Sequence, residues 1–120
     1  MAALYNTLSV FRSLDLDEGT CEIVKAKPGI LFGMWVTNKA TTVRYIKVYD
    51  AVSGTVGTGT PKLTIPVPGN ATDNIGAVFG VGGMGINFAT GIVLGACTGL
   101  ADNDTGAPGT NDLIVNVFYR

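Results

Sequence analysis

Asp112-Leu113-Ile114-Val115-Asn116-Val117-Phe118-Tyr119-Arg120 is the stretch that decides the class of this chain. Leu113, Val115, Val117 and Tyr119 fall on one side of an extended backbone, and Ile114, Asn116, Phe118 and Arg120 on the other. That period of two belongs to a β-strand. Both sides carry apolar bulk, so the strand is predicted to lie inside a sheet, because an unpaired strand of this composition is an aggregation hazard.

Outward from it, the same period recurs. Residues 91–98 (GIVLGACT) and 84–89 (MGINFA) read as short strands, and 75–79 as a strand or connection. Residues 42–50 set Val43, Tyr45, Lys47 and Tyr49 against Arg44, Ile46 and Val48. Residues 30–37 (ILFGMWVT) are apolar on both sides, which predicts a central strand covered on each face, with Gly33 admitting a bulge. Residues 8–17 and 20–26 alternate as well. In 62–67 Pro66 demotes the strand to a sheet edge, because proline cannot donate to the ladder. Lys27-Pro28-Gly29 and Pro68-Gly69-Asn70 are turns, and 53–61 is a loose Gly- and Thr-rich loop.

No stretch shows the 3.6-residue period of a helix. About eight short strands punctuated by Gly and Pro predict an all-β fold, a single-domain antiparallel β-sandwich of jelly-roll type spanning residues 1–120. An immunoglobulin-like sandwich is the alternative, and it lacks support: the interval from Cys21 to Trp35 is short and that from Trp35 to Cys97 long.

Composition then narrows the function. Only 14% of the 120 residues are charged and 47% are hydrophobic, against a usual charged share of about 25%. Sparse charge leaves two readings: part of the surface is covered by a partner, or Thr, Asn, Ser and Gly supply the polarity instead. Eight basic and nine acidic residues give a net charge of −1, without the basic patch that nucleic acid requires. The uncharged run 75–101 is long enough for a membrane span, yet its many glycines disfavour a helix by roughly 1 kcal/mol each. Neither nucleic acid nor membrane is expected as a partner. The first ten residues show no signal peptide.

Chemistry is scarce. The chain has no histidine, which removes the commonest general base and metal ligand. Cys21 and Cys97 lack metal-site spacing and read as two buried free thiols. Asp15, Asp17 and Glu18, and again Asp102 and Asp104, read as turn formers before cation ligands. Residues 80–85 (GVGGMG) lack the ending of a phosphate loop. No enzyme activity, cofactor or metal is expected.

Several stretches together carry a resemblance: FRSLDLDE at 11–18, VRYIKVY at 43–49, TPKLTIP at 60–66, GINFATG at 85–91, TGLADND at 98–104 and NVFYR at 116–120. In that order they resemble a group of small bacteriophage proteins of virion-structural role. The resemblance implies a virion structural protein built on a β-sandwich, like capsid decoration (cement) proteins or small tail and neck components, and the first reading is a decoration protein. Such a protein binds the major capsid protein or another virion protein, as a homo-oligomer such as a trimer. It would be located in the phage particle after synthesis in the host cytoplasm. The alternative is a small tail, neck or fibre-tip module, with Trp35, Tyr45 and Tyr49 as a candidate aromatic surface through any of which a host glycan could bind. Candidate contacts are Val52 and Thr58 in the first Gly-rich loop and Gly80, Gly82, Gly83 and Gly85 in the second, since small uncharged residues let another backbone come close.

Overall fold

A computed structural model describes residues 7–16, 19–69, 76–80 and 84–120. Nine strands follow in order: β1 (Ser9–Ser13), β2 (Glu22–Lys25), β3 (Gly29–Asn38), β4 (Arg44–Asp50), β5 (Leu63–Val67), β6 (Gly76–Gly80), β7 (Ile86–Phe88), β8 (Ile92–Cys97) and β9 (Leu113–Tyr119). All pairings are antiparallel and make two sheets. One runs β1-β9-β3-β6, with β7 also on β3, and the other β2-β8-β4-β5.

The topology is that of a long hairpin wrapped on itself. From the β4–β5 connection outward, β4 pairs β5, β3 pairs β6 and β7, β2 pairs β8, and β1 pairs β9. Cross-pairing of β4 with β8 and of β3 with β9 then closes each sheet. β6 and β7 count as one interrupted strand: Gly80 faces Gly33 and Ile86 faces Leu31, two residues apart on β3. Eight strands paired in this order make a jelly roll.

Between the sheets lies one apolar core. Leu31, Met34 and Val36 from β3 and Leu113, Val115 and Val117 from β9 meet Ile46 and Val48 from β4 and Ile92, Leu94 and Ala96 from β8. These are alternate residues along each strand, as a pleated backbone requires, except for the step from Leu31 to Met34, which crosses a bulge on β3. β9 lies between β1 and β3, inside its sheet, and Pro66 is on the edge strand β5, both as their sequences predict. The register of β3 against β9 shifts between Leu31 and Gly33, a bulge at the glycine.

Two expectations need correction. β3 is central in its sheet but is not covered on both faces, because Trp35 is 54% exposed. Nor is 53–61 loose. Val56 is buried, its N–H donates to the carbonyl of Gly19 at 2.8 Å, and the Cys21 N–H donates to the carbonyl of Gly54 at 2.9 Å. Among the described residues no helix is long and apolar enough to cross a membrane.

Candidate functional site

Each sheet has a second face, turned away from the core, and the two are finished differently. On the five-stranded sheet Phe11 and Ser13 of β1 turn inward, so Val10 and Arg12 point out. Register then builds rows across the strands. Val10 pairs with Phe118, and Phe118 with Gly33; Arg12 pairs with Asn116, and Asn116 with Trp35. Val10 is 57% exposed, and Leu8 and Leu14, which flank β1, are exposed too. Arg12 is exposed. Gly85 lies against the same face: a Cβ there would run into Ile30 and sit 3.4 Å from the Phe32 ring. The neighbouring Met84 is exposed.

Across the molecule, the outer face of the four-stranded sheet is packed. Tyr49, Val93 and Cys97 point outward and meet Cys21 and Val56 in a second apolar cluster, with Tyr45 packed against it. Two loops form the lid. The first, residues 51–61, is held by a bridge between Thr20 and Thr55 and by the Gly57 N–H donating to the Tyr49 hydroxyl at 3.3 Å. The second, residues 98–110, is folded by Asp104, whose carboxylate accepts from the Gly106 N–H at 2.9 Å and the Gly99 N–H at 3.2 Å. Gly57 joins them. Its φ is 88°, and a Cβ there would press on Thr105 and on the Asp104 carbonyl.

Lys47 fastens the second loop from beneath. It shares the outward phase of Tyr45 and Tyr49, is fully buried, and its Nζ donates to the carbonyls of Leu100 at 2.7 Å and Ala101 at 2.9 Å. A buried ammonium needs such acceptors. Above it, Leu100 is 63% exposed, and Val52 and Asp102 are also exposed.

Beside this lid runs an open groove of about 580 Å³ lined by Tyr49, Asp50, Ser53, Thr58, Thr60 and Lys62, among others. Its charged groups already have partners. The Asp50 carboxylate accepts from the N–H groups of Thr90, Ala89 and Gly91 at 2.8, 3.0 and 3.3 Å. Those bonds, led by Thr90, hold its pKa below the ordinary carboxylate value. Lys62 Nζ donates to the Asn87 carbonyl at 2.6 Å and lies 5.1 Å from the Phe88 ring centroid. Asp50 is thus a clamp on the β7–β8 turn.

The thiols are equally enclosed. Cys21 and Cys97 are free and buried, and desolvation pushes Cys21 up to about 11 and raises Cys97 as well. Among the described residues no group of three or more Cys, Asp or Glu side chains is placed to hold a metal ion. Asp17 and Glu18 lie outside the described residues, as do Gly82 and Gly83 among the candidate contacts.

The three aromatics proposed as one surface are not one. Trp35 is exposed on the five-stranded sheet, while Tyr45 is half-buried and Tyr49 buried under the opposite lid. Strand phase within β4 was readable, but which sheet β4 joins was not. Gly80 and Gly85 are likewise exposed on the side of the five-stranded sheet, and Val52 and Thr58 on the opposite side. Sequence reasoning missed Lys47, Asp50 and Asn38. Asn38 is fully buried and ties two segments together, its Nδ2 donating to the carbonyls of Val67 at 3.0 Å and Thr42 at 3.1 Å. The signal for Lys47 was its phase with two tyrosines.

Comparison with known protein families, curated proteins and solved structures found no match.

Proposed function

We propose that this chain is a structural subunit of a bacteriophage particle, a decoration protein that binds the major capsid protein and stabilises the shell. The observation that supports the reading best is a stiff two-sheet slab with exposed apolar side chains on both broad sides. Leu8, Val10, Leu14 and Trp35 lie on one side, and Val52 and Leu100 on the other. Apolar side chains grouped along one open sheet face, as Leu8, Val10, Leu14 and Trp35 are, suit contact with another protein, and a sheet scaffold holds them in place. In the tail or fibre-tip alternative a glycan would meet Trp35 on one side or Tyr45 on the other, since the two lie on opposite sheets.

Copy number in purified particles tests the proposal. A decoration protein is present in hundreds of copies spread over the shell in electron micrographs, and particles lacking it burst at lower temperature. A handful of copies confined to the tail or neck, or none, would overturn it.

A further inference from the structure

We infer that the two outer sides of the slab are complementary to each other, so that copies of this chain associate head to tail, the open face of one on the lid of the next. This goes beyond the proposed function and concerns the chain alone, with or without a particle.

The argument begins with charge. On the open face of the five-stranded sheet β1 carries Arg12 at an outward position, Arg120 follows β9 with its Nε donating to the Thr7 carbonyl at 3.4 Å, and the strand positions described there include no Asp or Glu. Arg12 is exposed. The lid opposite is the reverse: residues 51–61 carry no charge, and 98–110 carry Asp102 and Asp104 and no basic residue. Asp104 is engaged by backbone N–H groups, which leaves Asp102, exposed beside Leu100, as the carboxylate presented outward. Each side therefore offers exposed apolar side chains with an exposed charge among them, Arg12 on one and Asp102 on the other, while Lys62 at the groove beside the lid is held by the Asn87 carbonyl and lies near Asp50. Complementary potentials of this kind select and orient partners.

Composition and size agree. Arg12 and Trp35 lie in one row across β1, β9 and β3, two strand spacings or roughly 10 Å apart. Tryptophan and arginine are the residues most enriched at the energetic centres of interfaces. The molecule measures 45 × 33 × 21 Å, so its broad sides exceed the roughly 800 Å² per partner of a standard interface. The candidate contacts read from sequence, Gly85 on one side and Val52 and Thr58 on the other, become two halves of one contact. A face-to-face dimer would instead place arginines opposite arginines with no carboxylate between them. Head-to-tail contacts close into rings or run on as stacks, according to the rotation between copies.

Sedimentation of the purified chain over a wide concentration range is the test, with thermal melts to show that each variant is folded. The native chain should form species larger than a monomer as concentration rises. R12E and D102R, both at exposed positions, should each weaken association about tenfold or more. Mixing R12E with D102R, or combining both in one chain, should restore it, because each contact again pairs opposite charges. A native chain that stays monomeric at every concentration would overturn the inference. So would D102R without effect alongside a disruptive R12E, the signature of a face-to-face dimer, or a charge-swapped mixture that fails to recover.

Discussion

The two sheets are built from similar strands, yet the outer face of one is covered by loops over β4 and β8, leaving Ile23 on the edge strand β2 49% exposed, while that of the other is open. Val93 of β8 and Val10 of β1 make the comparison concrete. Both point away from the core between the sheets, and both are β-branched residues suited to a strand. Val93 is fully buried under Val56 and its neighbours, while Val10 is 57% exposed. The difference comes from the connections. The β4–β5 and β8–β9 loops are long and fold back over the four-stranded sheet, anchored by Thr20–Thr55, Gly57–Tyr49 and Lys47–Leu100. Among the described residues the five-stranded sheet has no such lid. An apolar outward position on a sheet is thus completed either by the chain itself or by something else.

The largest expected effect breaks the sealed side. Lys47→Ala removes a buried methylene stem and leaves two carbonyls of the second loop without their donor. The loss should be about 3 kcal/mol, from the stem at ~0.8 kcal/mol per methylene plus the unmade hydrogen bonds. Val93→Thr, which places a hydroxyl in the same cluster, should cost about 2 kcal/mol. Urea denaturation checks both. A loss below about 0.5 kcal/mol in each would mean that the lid is not packed as described.

A smaller effect sharpens the same side at its groove. Asp50 clamps the β7–β8 turn as a carboxylate, and its folded pKa is lowered by the Thr90, Ala89 and Gly91 N–H groups. A lowered folded pKa contributes stability that is present above the unfolded value of about 4 and is lost as pH falls through the folded value. Asp50→Asn should therefore cost about 1 kcal/mol near neutrality. The gap to the native chain should narrow as pH drops from about 5 to 3. Melting curves across that range test the sign. A gap that widens with acid would show that Asp50 is not held as the anion.

What the sequence made legible follows the same division. Strand period exposed the alternation of β4 and β9, Pro66 marked an edge, and Gly33 a bulge, because each of these is a local property of the backbone. The lid was not legible. Nothing within residues 51–61 says which sheet face they will cover, since that depends on β4 and β8 being neighbours across a large sequence separation. The same non-local pairing decides that Lys47 is buried and that Trp35 and Tyr49 part company. Charge sparsity said nothing of where exposed apolar side chains would lie, because that needed the fold.

The smallest expected effect tests the open side. Val10→Thr makes the same exchange as Val93→Thr, at a position of the same phase on the other sheet. Threonine keeps the branched Cβ that suits a strand, and at a position already more than half in water its hydroxyl is solvated. The cost to the dilute chain should stay within about 0.5 kcal/mol, against the roughly 2 kcal/mol expected at Val93. Thermal or urea unfolding of both variants at low micromolar concentration, where copies are kept apart, measures that contrast. Equal losses would show that Val10 is covered within a single chain, and the division between a sealed sheet and an open one would fall. A loss at Val10 that grows with protein concentration would instead place its cover in a neighbouring copy, because a contact made only by the folded chain stabilises it by mass action.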